Sequence, residues 1–508
     1  MVKAIARHTF ARHAAALGAV NLLAHFLPFE RAARSLDDLG CFVTLKYLTG
    51  MSLPEFLIKE MAVSPNRPLG VVMYLLQMVA GDSPLRAVAT VFVASSLLTV
   101  AIYVLLRELL QDASMALLGS LIYLLLPNKL ELYYTLDYAS LNLYHTAYVA
   151  SFICFVVFAR TAKVRFLIGS IAAYTVGIFS YELGFFLPLV LAAYALLFAR
   201  GAAARSVLWF AIPAAGYALW RTGAFGLVPQ AAAANPIQVN SIASNIFHAL
   251  PNHYLGRYMA KPILYGLYRF PTIEWPWLAA IACADLAALY WFARWATRTA
   301  FGRISIGMVC LATVIFVALL IPILLWGGVL GRHTVLASIG LVIVLAGAAI
   351  ATRHGAAILT VLFGLGLAIS QGTAWTQVVA GRMNHAIYET LLAQQAEVLK
   401  ADRVLIDQYS FATRVPYTWV QDRHNQLDTY WGVGGLLGRG FPFLVHLAVG
   451  ASKPVYVVRS AIERGGEELT FQVYNPARYQ LEETTVPVHG TIVVDYASVY
   501  GGRGMKWR

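Results

Sequence analysis

The sequence predicts an α-helical multi-pass membrane protein with about eleven membrane-spanning helices and a small C-terminal α/β or α+β domain. Three observations carry this. Only 12% of the 508 residues are charged and 59% are hydrophobic, where soluble domains run near about 25% charged. Apolar runs of membrane-spanning length recur between residues 12 and 376. From about residue 380 they give way to short β-branched segments bounded by Pro, Gly and Asn.

The chain opens on a short basic segment, Met1 to Arg12. The apolar stretch Ala14–Pro28 has no clean small-x-small cleavage site, so it reads as a first span with its N-terminus in the cytoplasm. That span is expected at 12–29, and the others at 86–107, 113–128, 143–160, 165–181, 184–200, 206–222, 275–295, 303–327, 332–351 and 355–376. The apolar piece Leu69–Ala80 is left out. A helix of that length rises roughly 18 Å, short of a ~30 Å hydrocarbon core, and suits the interface.

Charge sets the expected orientation. One set of connecting segments carries Lys3, Arg7 and Arg12; Arg107; Arg160, Lys163 and Arg165; Arg200 and Arg205; Arg294, Arg298 and Arg303; and Arg353. The alternate set holds Asp37, Asp38, Glu60, Glu131, Asp137 and Glu182. The net charge of +13 therefore reads as cytoplasmic basic loops and not as a nucleic-acid surface. The four cysteines are scattered and fit neither a disulfide framework nor a CxxC metal site.

Two outer segments are long, 30–85 and 223–274. The second includes NHYLGRYMAKPILYGLYRF, an interfacial amphipathic helix or a surface for lipid headgroups or acceptor. Residues 1–379 form the expected membrane module and 380–508 an outer soluble domain. In that domain HAIYETLLAQQAEVLKAD reads as an amphipathic helix, and RVLIDQYS, KPVYVVRS, LTFQVYNP and TIVVDYAS read as strands. The aromatics of PYTWVQDRHNQLDTYWG suit a packed core or carbohydrate stacking.

Few residues carry chemistry. In SLDDLG, Asp37 and Asp38 are adjacent acids at the edge of an apolar chain. One role is to cap the next helix; another is a catalytic carboxylate supported by its neighbour, or a pair holding a cation. Glu182, in FSYELGFFLPL, joins two spans through a tight connection, where an acid is either an exposed turn residue or lines a cavity. Arg332, in GGVLGRHTVLASIG, either snorkels to headgroups or clamps a phosphate. His333 follows it, and Arg67 precedes a proline in SPNRPLG.

In their order along the chain these segments resemble the GT-C superfamily of integral-membrane glycosyltransferases, which includes protein O-mannosyltransferases and lipid A aminoarabinose transferases. The likeness covers roughly residues 10–375. It rests on the cytoplasmic start and single span, the long loop with SLDDLG, the segment NRPLGVVMYLLQ leading through GDSPLRAVATVFVASSLLTVAIYVLLREL, the outer acid of SYELGFFLPL, and the late arginine of GRHTVLASIG. His333 stands where relatives often have Tyr.

The resemblance implies a hexosyl or pentosyl transferase that takes its sugar from a polyprenyl-phosphate donor. It implies a glycan, lipid or protein acceptor, such as a cell-envelope glycan or lipopolysaccharide, at the outer face of a bacterial inner membrane. Asp37 or Asp38 would act as general base on the acceptor hydroxyl, with inversion. Arg332 would bind the donor phosphate, with Lys129 or Lys261 sharing that role, while Glu182, Arg67 and His333 would line the substrate. Some relatives use a divalent cation, so Mg2+ or Mn2+ on Asp37 and Asp38 is an open expectation. The rival readings are a polysaccharide polymerase or ligase, and a flippase or transporter of lipid-linked glycans. The sequence speaks against a transporter, since there is no internal repeat and the acids are expected at one face and not mid-membrane.

Overall fold

The computed structural model describes residues 2–27, 51–63, 67–81, 83–133, 136–199, 201–221, 255–256, 259–326, 334–407, 441–451, 453–458, 460–475 and 480–495. The described part is mostly helical with a small C-terminal sheet. In chain order the helices are α1 (Val2–Asn21, ending in a π turn at Leu22–Phe26), α2 (Leu53–Val63), α3 (Val72–Ala80), α4 (Pro84–Leu110), α5 (Ala113–Leu125), α6 (Asp137–Thr161) and α7 (Val164–Ser180). They continue as α8 (Leu187–Tyr194), α9 (Ala202–Ser206), α10 (Ala211–Arg221), α11 (Lys261–Arg269), α12 (Trp275–Arg298), α13 (Ile306–Trp326), α14 (Ala337–Ile350), α15 (Gly355–Ala393), α16 (Gln395–Lys400) and α17 (Phe441–Val449).

Among the described residues, six stretches are long and apolar enough to cross a membrane: Leu85–Leu110, Tyr138–Thr161, Glu182–Ala199, Ala202–Arg221, Trp275–Arg298 and Gly355–Trp375. Four of the expected spans correspond to shorter apolar helices, at Ala113–Leu125, Val164–Ser180, Ile306–Ile321 and Ala337–Ile350. The shortest, α5, has 13 residues and rises about 20 Å. The excluded piece Leu69–Ala80 yields α3, whose 9 residues rise only about 14 Å.

Short links force neighbouring helices antiparallel. Asp112 caps α5 by accepting from the Ser114 and Met115 amides at 2.8 and 3.1 Å, and its other oxygen accepts from the Gly302 amide at 3.1 Å. Arg160 donates to Glu108 at 2.9 Å. These contacts gather the links after α4, α6 and α12 at one end of the bundle, which carries Arg107, Arg160, Lys163, Arg303 and Arg353. The N-terminal helix starts at that end too. His13 Nδ1 lies 2.9 Å from the Tyr103 hydroxyl, and Asn21 Nδ2 donates to Ser95 and Ser96 at 3.0 and 2.9 Å, so α1 runs antiparallel to α4. The helix ends before α4, α8 and α12 lie at the opposite end.

The last bundle helix, α15, has 39 residues and rises about 58 Å. Position 380, where the composition changes, lies inside it. The expected separate helix of HAIYETLLAQQAEVLKAD is the end of α15, broken at Gln394, followed by α16. Gly381 costs a helix only about 1 kcal/mol and no proline intervenes. Arg382 grips Glu274 with two bonds of 2.6 and 3.1 Å and lies 5.1 Å over the Trp375 ring, which ties the outgoing helix to the start of α12.

The sheet contains β1 (Arg403–Asp407), β2 (Val455–Val458), β3 (Glu463–Gly465), β4 (Glu468–Asn475), β5 (Gln480–Pro487) and β6 (Thr491–Asp495), in the order β3-β4-β2-β1-β6 with β5 also on β4. β1 is parallel to β2 and β6, and the β4 pairings are antiparallel. The four expected strands are β1, β2, β4 and β6. The sequence reading missed β3 and β5, because QLEETTVP lacks the apolar alternation of a half-buried strand. Val404 and Ile406 pack with Trp375, Ile387, Val398 and Val445, while Leu405 joins Phe471 and Val486 on the other face.

The expected confinement of acids to one face fails at Asp285, near the middle of α12. Its carboxyl group accepts from Gln371 Nε2 at 2.7 Å.

Close helix packing generates a first prediction. Helices α11 and α15 meet at Gly266 and Gly372, and a Cβ on Gly372 would collide with the Gly266 carbonyl oxygen. Gly372→Leu should lower the melting temperature in detergent, with an overpacking cost of about 1–3 kcal/mol or more. Gly18→Ala, where nothing lies within 4 Å, should leave it unchanged or raised.

Candidate functional site

Two of the sequence-derived segments meet at the end of the bundle opposite the arginine-bearing links. Helix α7 stops at Ser180 because Tyr181 turns extended, and Glu182–Gly184 then form one 3-10 turn before α8. Tyr148 of α6 holds this turn, its hydroxyl donating to the Tyr181 carbonyl at 2.6 Å. Its ring lies so close to Gly184 that no Cβ fits there. The NRPLG segment docks beside it. The Leu69 amide donates to the Phe179 carbonyl at 3.1 Å, and the Tyr144 hydroxyl donates to the Gly70 carbonyl at 3.0 Å.

This backbone framework presents Arg67 to Glu182. Arg67 Nε donates to Glu182 Oε2 at 3.0 Å and Nη2 donates to Oε1 at 3.2 Å, a two-pronged pair across 115 residues of sequence. The guanidinium also lies 4.2 Å over the Tyr181 ring. Arg221, at the end of α10, stands 4.0 Å from Glu182 Oε1 and donates to the Tyr217 hydroxyl at 3.5 Å. Glu182 is the most enclosed member, its side chain 9% exposed against 43% for Arg67 and 20% for Arg221. Burial works against the Arg67 cation, but Glu182 more than offsets it and holds the guanidinium above its ordinary range. Arg67 is therefore a permanent cation, fixed on one side and open on the other. The paired donors suit it to an anionic oxygen group.

Of the sequence-derived residues, Arg67 and Glu182 are brought together. Glu182 does not stand alone against a cavity; both its oxygens engage Arg67. Lys129 lies on the 3-10 segment Pro127–Tyr133 and Lys261 opens α11; their side chains are outside the described set. Asp37, Asp38, Arg332 and His333 lie outside the described residues. The neighbours of two of these residues do meet. Asn128 Nδ2, beside Lys129, donates to the Thr334 and Ser338 hydroxyls at 2.7 and 2.8 Å, and Thr334 directly follows His333. Among the described residues no three His, Cys, Asp or Glu side chains converge as a metal site. The expected Mg2+ or Mn2+ would rest on Asp37 and Asp38.

Sequence reasoning missed Arg221 and Tyr181. Arg221 carried a usable signal, as a base at the end of the apolar run 206–222 that should be poor in bases. Tyr181 carried none, since only the turn geometry places its ring under Arg67.

No protein-family model matches the chain, and no curated protein matches its sequence.

The unequal burial of the pair generates a prediction. Arg67→Leu strands an enclosed carboxylate and should destabilise by about 1.5–3 kcal/mol. Glu182→Leu leaves a guanidinium that can reach water and should cost less. The double variant should cost less than the sum of the two. Thermal unfolding of the four proteins in one detergent checks this, and strict additivity would mean that the pair is not coupled.

Proposed function

We propose that this chain is a GT-C-type glycosyltransferase. It would move a sugar from a polyprenyl-phosphate donor to an acceptor hydroxyl at the outer face of a bacterial inner membrane. The observation that supports this reading most is the Arg67–Glu182 pair, because it draws NRPLG and SYELG, two of the segments behind the resemblance, into one place. The pair lies at the end of the bundle away from Arg107, Arg160, Arg303 and Arg353. If those bases face the cytoplasm, the pair lies at the outer surface, where a lipid-linked sugar presents its phosphate.

In this reading Glu182 is a positioning residue that holds Arg67, and Arg67 meets the donor's phosphate or sugar oxygens. Asp37 or Asp38 takes the acceptor proton as the acceptor oxygen attacks the anomeric carbon, and phosphate departs with its bonding electrons. Arg332 stabilises the charge that grows on that phosphate, a contribution of about 2–4 kcal/mol. Lys129 and Lys261 remain further candidates for the phosphate, and His333 for substrate contact.

The test is a transfer assay on the purified protein with radiolabelled polyprenyl-phosphate sugars and lipid-linked acceptors. The wild type should release polyprenyl phosphate. Asp37→Asn/Asp38→Asn should abolish release, and Arg332→Lys should reduce it about 10²- to 10³-fold. No turnover of any donor by folded wild type would overturn the proposal.

The placement of Asp285 within a candidate span favours a second reading, a transporter or flippase of lipid-linked glycans. Movement of a fluorescent lipid-linked glycan across proteoliposomes, without its cleavage, would establish that reading instead.

A further inference from the structure

Away from the Arg67 site, one polar pair lies deep among the apolar helices. Gln371 of α15 is wholly buried. Its Nε2 donates to Asp285 Oδ1 at 2.7 Å and to the Leu23 carbonyl at 3.3 Å, so it bridges α12, α15 and the π turn after α1. The pair lies roughly 16 Å below the Glu274–Arg382 clasp, at the ~1.5 Å rise of each helical residue. Helix α12 is the least buried of the six candidate spans. Asp285 is itself only partly covered, and Cys283, Leu286 and Tyr290 beside it are exposed.

Two features of this pair call for a proton. First, among the described residues Asp285 makes no ion pair. On α15 the group that faces it is Gln371, and residues 355–381 of that helix include no charged side chain. The π turn meets the pair through the Leu23 carbonyl, which accepts from Gln371. The only titratable group of that turn, His25, is directed elsewhere, onto the Leu124 carbonyl at 3.2 Å and the face of Tyr133 at 3.8 Å. On α12 itself the nearest bases, Arg294 and Arg298, lie toward the far end. An isolated carboxylate at this depth costs about 2.5–3.5 kcal/mol even by the mildest scale. Second, Gln371 Oε1 is buried with no hydrogen-bond partner, a rare and costly state for an amide oxygen. Exchanging the amide's nitrogen and oxygen does not remove the demand. It would set Oε1 against Asp285 Oδ1 and also against the Leu23 carbonyl oxygen, so the arrangement with the nitrogen on both acceptors is kept.

We propose that Asp285 is an intramembrane proton-binding site: its carboxyl keeps a proton at neutral pH while its carbonyl oxygen accepts from Gln371, an acid–amide pair that joins α12 to α15. Loss of the proton leaves a bare carboxylate at the lipid-facing side of the bundle and loosens that joint. The inference rests on α12 lying in the bilayer and is independent of the glycosyltransferase reading. It also makes Asp285 a modification site for apolar carbodiimides. The carboxyl oxygen adds to the central carbon of the reagent while the acid proton passes to its nitrogen. The product then rearranges to an N-acylurea that retains every atom of both partners.

The experiment uses the full chain in liposomes, treated with dicyclohexylcarbodiimide and mapped by peptide mass spectrometry. Asp285 should be modified, the modification should decline as the pH is raised through the alkaline range, and a water-soluble carbodiimide should leave Asp285 untouched. Infrared spectra at neutral pH should show a protonated-acid carbonyl band that is lost in Asp285→Asn and shifted in Gln371→Leu. An unmodified Asp285 in the wild type, or modification that does not depend on pH, overturns the proposal. This labelling profile decides the matter alone if the Asp285→Asn chain fails to fold.

Discussion

Water is scarce among the apolar helices of this chain, and a buried polar group there must find its partner within the protein. That constraint organises the bundle. Several polar side chains in the helices are matched to one on a neighbour: Asn21 to Ser95 and Ser96, Ser151 to Ser170, Asn128 to Thr334 and Ser338, Gln371 to Asp285. Apolar packing brings helices together without dictating their register, since leucine against leucine slides at little cost. A hydrogen bond between two named side chains does dictate it, because a slip of one turn would bury both ends unpaired.

The same constraint shapes the candidate site. Glu182 would be untenable at the mouth of an apolar bundle without a cation, and Arg67 supplies one whose fork meets both carboxylate oxygens. The cost of ordering the NRPLG segment is offset by bonds that do not involve charge, from Leu69 to Phe179 and from Tyr144 to Gly70. Charge selects the partner and backbone bonds hold the loop. The site is thus a cation held on its inner side by Glu182 and exposed on its outer side.

The long helix α15 joins this bundle to the sheet. Its first part packs among apolar helices and its last turns join the cluster of β1 and β6 through Ile387 and Leu391, with Val398 of α16 beside them. The Glu274–Arg382 clasp sits where the two environments meet. One uninterrupted helix with a clasp at the change of surroundings couples the sheet mechanically to the bundle. A flexible linker at residue 380 would not.

Much of the architecture was legible in the amino-acid sequence. Composition and run length announce the apolar helices, and β-branched alternation announces β1, β2, β4 and β6, because both patterns are local and follow from burial of one face or of all faces. The brevity of α3 and the clustering of bases on alternate links were legible for the same reason. What only the tertiary structure decided is pairing. No local pattern joins Arg67 to Glu182, places the Tyr181 ring under a guanidinium or hands Asp285 to Gln371. A partner 115 residues away in the Arg67 pair is chosen by the crossing of helices. Nor could β5 be read from its polar sequence, since its place depends on β4. Sequence determines which residues must leave water; the fold determines which polar group each of them meets there.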